Sequence, residues 1–370
     1  MSALTSNFQQ AIGTLMPDYM RGAIETANDP ILKAFPFGYV DSAKVLYDQW
    51  ETNFGLINLR GLGAKPDVRT FNGWKRYIAD PAYFGDSTLL EEGEITQGVQ
   101  PGTLGDAMNI GDRLGLFMTD MSALILNRAR KSAADLIATG SMDIQDAAGR
   151  RFQYALENYS SQIKVPTTTW FTQATTATPI QDMLGWQADL QKGTDSEFGA
   201  DSFLLATSPT IKEFFSMTQI IGTYRTDYGA TVNGLEKYNK EIAGTTNQGF
   251  TLPRIVRYDK GYYPTSADAL AKTNWSFFVP ARTFLWFGSR PVGQQIAQWQ
   301  LTRHAGLVED SAGGYPEVTG VGGDKADIGK GLYTRCHYQN KQPHQYELEV
   351  GVNGLPVVFF PSAFAAIVYT

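Results

Sequence analysis

The sequence predicts an α+β fold, and three observations support that prediction. Residues 112–139 repeat apolar side chains every three or four positions, which is the pattern of one long amphipathic helix. Residues 179–215 then give a helix, a short apolar strand and a second helix. Residues 351–370, GVNGLPVVFFPSAFAAIVYT, carry no side-chain charge and contain apolar runs of strand length. Strands this apolar must be paired and covered, so we expect them to close a sheet built from earlier chain.

The composition indicates a protein that buries much of its surface. The chain has 370 residues, which exceeds one average domain, so we expect two lobes. An apolar content of 43% is enough for a hydrophobic core. Only 18% of the residues are charged, which is below the usual quarter, while 12% are aromatic. Low charge with many aromatic residues favours burial against copies or partners. A large monomer with a thick core is the alternative.

Charge and motifs argue against several classes of protein. The net charge is −6 and there is no Lys/Arg-rich run, which argues against an electrostatic nucleic-acid binder. The first residues lack a basic region followed by an apolar one, so we expect no secretory signal. Cys336 is the only cysteine, which is consistent with a reducing cytoplasm. Pro356 and Pro361 interrupt the apolar end, which favours buried strands over a membrane span.

Extended segments flank the long helix in the first half of the chain. Residues 1–30 predict an arm or a short helix, and a short strand is expected around Val45–Tyr47. Residues 51–80 hold several glycines and most of the local positive charge, which predicts a projecting hairpin or else an ordinary long surface loop. Gly140 is placed to end the helix, and two strands joined by a turn at Ala148-Gly149 follow. The apolar face of the helix is predicted to comprise Leu114, Phe117, Met118, Met121, Leu124, Ile125, Ala129, Ala133, Leu136 and Ile137.

The second half of the chain begins its helix–strand–helix series at Pro179, with Trp170 before it as a packing anchor. Phe203–Ala206 is expected to be a buried strand. Ser208 is placed as the N-cap of the next helix and Pro209 as its first residue.

The remaining chain is predicted to hold loops and strands. Residues 222–250 are polar and Gly-rich, so we expect a surface excursion there. Asn353-Gly354 is expected to form a turn before the apolar runs Val357–Phe360 and Ala363–Tyr369. These runs are expected to form two short buried strands or one bent strand.

No motif makes a convincing site, so we expect no catalytic residue, no cofactor and no metal. Cys336, His337 and His344 form a C-H-x6-H pattern that matches no standard zinc spacing. Residues 323–331, GDKADIGKG, fail as a phosphate loop because the spacing is one residue too long and a glycine replaces the magnesium-binding Ser or Thr. A cluster of Glu91, Glu92 and Glu94 is more typical of a solvated or intersubunit face than of an acid/base pair. An enzyme with carboxylates scattered along the sequence stays an alternative.

The order of these features resembles the Hong Kong 97-type fold of tailed-phage major capsid proteins, and more closely the lambda-like E family. VDSAKVLYDQW is similar to that family's lead into a projecting loop. NRARKSAADLIATG is similar to the end of its spine helix, and MLGWQADLQKG followed by SFLLATSPTIKEFF to its Trp-containing helix, strand and helix. GLPVVFFPSAFAAIVYT is similar to its closing stretch.

The resemblance implies a division of the chain into the parts of a capsid subunit. These are an N-terminal arm and a strand leading into the loop at 1–50, an extended loop at 51–90, a peripheral domain at 91–177 with a spine helix at 112–139, an axial domain at 178–329, and closing strands at 330–370 that return to the peripheral domain.

The resemblance also implies partners and a location. The chain would assemble with itself as hexamers and pentamers into an icosahedral head shell around double-stranded DNA, which it would touch weakly and without specificity. Scaffolding protein, a decoration protein and a portal at one vertex would be further partners, with no membrane involved. Assembly would occur in the host cytoplasm and the product would be the virion capsid. Another phage ring or tube subunit is the alternative in this class.

Loop cations and an acidic cluster are the candidate intersubunit contacts. The cations of one copy are expected to meet the acidic cluster of an adjacent copy. The residues are Arg60, Lys65, Arg69, Lys75 and Arg76 on the loop and Glu91, Glu92 and Glu94 after it.

Overall fold

A computed structural model describes most of the chain. The described residues are 29–40, 42–49, 75–91, 110–145, 151–171, 174–192, 194–199, 201–217, 220, 235, 238–239, 246–247, 250–290, 295–302, 332–341 and 344–369. Two compact units are present. Unit 1 comprises Met1–Tyr47, Ile78–Arg130 and Ala297–Val357, and unit 2 comprises Asp48–Tyr77, Lys131–Ile296 and Val358–Thr370.

Helices are interspersed with groups of consecutive strands in the described part of the chain. The helices with described bounds are α1 (Pro30–Ala34), the spine helix α2 (Ile110–Thr139), α3 (Pro179–Gln191), α4 (Ser208–Phe215) and α5 (Ser266–Ala271). The first strands are β1 (Phe37–Val40), β2 (Val45–Gln49), β3 (Lys75–Ala79), β4 (Ala82–Glu91), β5 (Ser141–Gln145), β6 (Arg151–Ala155), β7 (Ile163–Lys164), β8 (Phe203–Ala206) and β9 (Thr246–Asn247). The later ones are β10 (Phe250–Thr251), β11 (Arg254–Arg257), β12 (Gly261–Tyr262), β13 (Ser276–Phe277), β14 (Thr283–Phe287), β15 (Ala297–Thr302), β16 (Leu332–Lys341), β17 (His344–Val358) and β18 (Phe364–Val368). Among the described helices, none is long and apolar enough to cross a membrane.

Unit 1 is built on a five-stranded sheet. Its order is β1-β15-β17-β16, and β4 also pairs with β17. β1 runs parallel to β15, which places Phe37 opposite Trp299. The rings of Phe37 and Phe84 lie 6.2 and 6.0 Å from the Trp299 ring, so three strands contribute to one aromatic cluster.

The spine helix also contributes to the core of unit 1. Phe117, Met121 and Ile125 are buried at three- and four-residue spacing, as the sequence pattern predicts. Arg128 reaches β4, where its guanidinium lies 5.6 Å from the centre of the Phe84 ring.

Unit 2 is built on a mixed five-stranded sheet in the order β11-β8-β14-β18-β7. All five residues of β14 are buried, and they pair antiparallel with β18 from Thr283↔Val368 to Phe287↔Phe364. The apolar closing stretch is therefore paired on both sides, since β18 also runs parallel to β7. Because β8 and β14 belong to the segment 178–329, the closing strand lies in the sheet of that segment.

Gly140 ends the spine helix as the sequence predicts. Its backbone has φ +71°, a conformation that favours glycine. The Tyr159 ring packs closely against it, because an added Cβ would lie 2.6 Å from that ring. The Tyr159 hydroxyl donates to the Ile137 carbonyl at 2.7 Å, which fixes the ring over the helix end.

Two local predictions are wrong. Asn353-Gly354 is not a turn, because both residues lie inside β17 and pair with Tyr83 and Ala82. Glycine is needed there for a different reason: a Cβ at Gly354 would lie 2.6 Å from the Gln300 carbonyl oxygen.

The other wrong prediction concerns the start of α4. Thr207, not Ser208, is the N-cap, and its side chain makes no capping bond. Asp259 from a distant loop supplies the missing acceptor, since the Ser208 amide donates to its Oδ1 at 2.6 Å. A single-sequence pattern cannot show a cap that comes from so far along the chain.

The segment 222–250 is not purely a surface excursion where the structure describes it. Tyr238 is fully buried, and its hydroxyl donates to the Pro253 carbonyl at 3.0 Å. The Asn239 side chain donates to the Ile255 carbonyl at 2.7 Å and accepts from the Ile255 amide at 2.8 Å. The side-chain amide of Asn239 therefore forms the two hydrogen bonds that the backbone of a neighbouring strand would form with β11, the edge strand of the unit 2 sheet.

Candidate assembly surface

The base of the predicted extended loop is held by an ion pair inside the chain. Arg76 donates from Nε to Asp48 Oδ1 at 2.9 Å and from Nη2 to Oδ2 at 3.1 Å, which is a two-pronged arrangement. The bond from Arg76 lowers the pKa of the Asp48 carboxyl, and the same bond raises the pKa of Arg76. Because both side chains are accessible to water, we assign this pair an orienting role rather than a large stabilising one.

Two further residues of β3 converge on Glu157. The Tyr77 hydroxyl donates to Glu157 Oε2 at 2.7 Å, and Lys75 Nζ lies 3.9 Å from the same oxygen. Residues two apart on a strand share a face, which is why both reach one carboxylate. Lys75 and Arg76, both predicted to face a neighbouring copy, thus have acidic partners in their own chain.

The other predicted contact residues are only partly described. Glu91 ends β4, is exposed, and pairs through its backbone with Gln345. Arg60, Lys65, Arg69, Glu92 and Glu94 lie outside the described residues.

The outward face of β4 carries apolar side chains. Tyr83 and Leu89 are exposed, whereas Ala82 on the opposite face is buried. The Tyr83 hydroxyl donates to Glu349 at 3.1 Å, so β17 orients this ring. Partial burial and the charge of Glu349 raise the pKa of Tyr83, which keeps the phenol protonated.

The spine helix presents a second exposed apolar surface. Leu116 and Leu124 are 51% and 48% exposed, and the exposed Asp120 lies midway between them on the same helical face. We call these three residues the spine stripe. Leu124 is predicted from its spacing to face the core, so its exposure is a feature that periodicity alone does not reveal.

A third exposed apolar surface projects from unit 2. Residues 261–277 form a small hairpin, β12–β13, with helix α5 between its strands; we call it the knob. Leu270 is 88% exposed and Trp275 is 49% exposed. The sequence shows them only as two large apolar residues within the small and polar stretch 264–276.

The described residues contain no group of three or more His, Cys, Asp or Glu placed to hold a metal ion. Cys336 and His337 lie in β16 and pair with Leu348 and Glu347, while His344 begins β17. The described surface thus combines intrachain ion pairs at the loop base with exposed apolar side chains on β4, the spine helix and the knob.

Comparison with known proteins identifies the fold. A prophage protein of Escherichia coli CFT073, described as a capsid protein, matches with a TM-score of 0.54 over 95% of this chain and 97% of that one, at 11% identity. A phage-related protein of Bordetella bronchiseptica RB50 matches with a TM-score of 0.47 over 96% and 95%, at 10% identity. The SrpI encapsulin of Synechococcus elongatus PCC 7942 matches with a TM-score of 0.43 over 92% and 88%, at 12% identity.

Sequence comparison adds nothing to the structural matches. No protein-family model matches the chain. No curated protein matches it either. The mixed helix and sheet architecture nevertheless confirms the predicted fold class, which is the Hong Kong 97-type capsid fold.

Proposed function

We propose that this chain is the major capsid protein of a tailed bacteriophage. It assembles with itself, as hexamers and pentamers, into an icosahedral head shell around double-stranded DNA. The observation that carries this proposal is the shared fold with the prophage protein, which extends over 95% of the chain. The closer kinship to lambda-like E proteins is part of the same proposal.

The exposed surface supports a role in assembly. Large apolar side chains are exposed on both units, as expected for a subunit that meets several neighbours. Each obligate interface buries about 2,000 Å² or more in total. A shell subunit forms such an interface with each of several neighbours. In the described residues these side chains are Leu46, Ile78, Tyr83, Leu89, Leu116, Leu124, Val165, Phe171, Leu270 and Trp275.

The charge of the chain suits a container for DNA. A net charge of −6 disfavours tight binding of the inner wall to phosphates, so the packaged genome can slide. Contact with DNA is therefore weak and non-specific. A scaffolding protein, a decoration protein and a portal complete the set of partners, and the virion is the final location after assembly in the host cytoplasm.

The loop contact is refined by the ion pairs described above. Because Arg76 binds Asp48 and Lys75 approaches Glu157, these two cations shape the base of the loop. We propose Arg60, Lys65 and Arg69 as the loop cations that contact a neighbouring copy, with Glu91, Glu92 and Glu94 as their partners there. The chain has no enzymatic role in this proposal.

Electron microscopy of the purified full-length chain tests the proposal. We expect closed shells or hexameric and pentameric capsomers. Open rings that stack into tubes would instead support a tail or ring component, and a small soluble oligomer at all concentrations would contradict assembly altogether.

Charge reversal tests the refined loop contact. Glu92→Lys with Glu94→Lys should reduce the yield of shells, because like charges would then face each other. Glu92→Asp with Glu94→Asp keeps the charge and should assemble. Equal yields from both double variants would contradict the contact but not the shell.

A further inference from the structure

The knob holds its apolar side chains in a fixed geometry. The Asp268 carboxylate accepts hydrogen bonds from the Thr265 hydroxyl at 2.6 Å and from Asn274 Nδ2 at 2.7 Å, while the Thr265 Oγ1 accepts from the Asp268 amide at 3.1 Å. Lys272 and Asn274 both have left-handed backbones, with φ 52° and 55°, which reverses the chain after α5. Leu270 is thus presented by a capped turn of helix.

The second apolar group of the knob is held just as firmly. The Trp275 ring packs edge-on against Tyr263 with 5.0 Å between ring centres. A Cβ at Gly261 would lie 2.8 Å from this ring, so the glycine makes room for it. A pre-ordered Trp costs little conformational entropy on binding, and Trp is enriched among residues that dominate interface energies.

The root of the knob is anchored in unit 2. Tyr262 stacks on Phe278 with 5.5 Å between ring centres, and Lys131 Nζ lies 5.9 Å from the Tyr262 ring. The exposed tip is therefore joined to unit 2 through a packed aromatic root.

The spine stripe has matching chemistry. Leu116, Asp120 and Leu124 follow one another at four-residue intervals, so each is about 6 Å from the next along the helix axis. The stripe carries an anion between two apolar groups. The knob carries a cation, Lys272, between its two apolar groups in the chain. Within the described part of the chain, neither Asp120 nor Lys272 has an ion-pair partner.

We infer that the knob of one copy docks on the spine stripe of the next copy, with Lys272 against Asp120 and with Leu270 and Trp275 against Leu124 and Leu116. The inference rests on the proposed shell function. Two different surfaces meet, so the contact is heterologous and passes from copy to copy until a ring closes. The apolar pair supplies most of the affinity, and the ion pair at its edge sets the register.

Charge exchange tests the register. Lys272→Glu and Asp120→Lys, each alone, place like charges together and should raise the concentration needed for assembly about tenfold. The double variant restores an attractive pair and should assemble near the wild-type concentration. Lys260→Glu, the same change of charge near the root of the knob, should leave assembly unchanged. Additive loss in the double variant would overturn the contact.

Disulfide trapping tests the contact without relying on assembly yield. Leu270→Cys with Leu124→Cys, in a Cys336→Ser background, should form cross-linked dimers and longer chains under mild oxidation, because a disulfide needs the two Cβ atoms about 4 Å apart. Each single cysteine variant should stay monomeric on a non-reducing denaturing gel. Circular dichroism of every variant verifies that it folds.

The outcomes separate the inference from the proposed function. If the wild type forms shells, but the double charge variant is not rescued and the double cysteine variant does not cross-link, the knob does not dock on the spine stripe. The shell function then still stands. A wild-type chain that never assembles and never cross-links overturns both.

Discussion

Arg130 of the spine helix binds Asp29, which lies immediately before α1, with Nε 3.0 Å from Oδ2 and both side chains buried. The same carboxylate caps α1, since its Oδ1 accepts from the Ile31 amide at 3.0 Å. Arg130 is oriented by a second bond, from Nη1 to Asn127 Oδ1 at 2.8 Å. One carboxylate therefore starts a helix and ties the chain at residue 29 to the spine helix.

Asp29→Ala should destabilise unit 1 strongly. It leaves the buried Arg130 without its counter-charge and α1 without its cap, for which we expect a loss of about 3–5 kcal/mol in the free energy of unfolding. Urea denaturation measures this loss. As a control, Lys44→Gln removes an exposed ion pair with Asp80 in the same unit and should cost about 0.5 kcal/mol or less. Equal losses would contradict a special role for Asp29.

Gly140→Ala should destabilise the chain, and Gly185→Ala should not. Alanine at 140 meets both the left-handed backbone and the Tyr159 ring, with an expected cost of about 2 kcal/mol or more. Gly185 lies inside α3 with no atom within 4 Å of an added Cβ, so alanine there should stabilise by about 0.5–1 kcal/mol. Thermal melting should show a lower melting temperature than wild type for Gly140→Ala and a higher one for Gly185→Ala.

Tyr369 should be the most sensitive residue of the closing stretch. It is buried, with its ring 5.5 Å from Trp170 and 6.2 Å from Phe284. Tyr369→Ala leaves a cavity in this aromatic cluster and should cost about 3–5 kcal/mol. Tyr369→Phe removes only the weak bonds from the hydroxyl to the Thr210 carbonyl at 3.3 Å and to Glu213 Oε2 at 3.4 Å, and should cost about 1 kcal/mol. Similar values for both variants in denaturant titrations would show that packing is not the main effect.

The knob should lose stability in acid. The bonds from Thr265 and Asn274 lower the pKa of Asp268 below its usual value of 3.8. The folded chain then binds this proton more weakly than the unfolded chain does. The stabilisation is therefore present above the usual carboxyl range and is lost as the pH falls through the lowered pKa.

Melting curves of Asp268→Asn against wild type test this expectation. The variant should melt at a lower temperature at pH 7, and the difference should shrink below pH 4. Asp189→Asn, at an exposed position on α3, should match wild type at both values. A difference for Asp268→Asn that persists unchanged in acid would mean that the carboxylate charge is not what holds the knob.

Local patterns predicted the elements that depend on local physics. The spine helix, the glycine that ends it and the buried strand Phe203–Ala206 follow from periodicity and turn chemistry, and the structure has them at or within two residues of the predicted bounds. Trp170 is buried as predicted, with its indole N–H donating to Asp182 at 2.8 Å.

Long-range contacts explain what the sequence did not reveal. Asn353-Gly354 has the residues of a turn, but β4 pairs with both of them and holds them extended. Asp259 caps α4, which lies about 50 residues earlier in the chain. The Asn239 side chain hydrogen-bonds to the backbone of the edge strand β11, which follows it in the sequence. The sequence does not predict the knob either, because large apolar residues are expected to face a core, whereas Leu270 and Trp275 are exposed.

The interior position of β18 has a consequence for folding during synthesis. Because this strand lies between β14 and β7, the unit 2 sheet stays open along one side of each of them until residues 364–368 have left the ribosome. The nascent unit 2 sheet therefore cannot close before residues 364–368 are free to pair, because β14 and β7 have no contact with each other in the strand order without them.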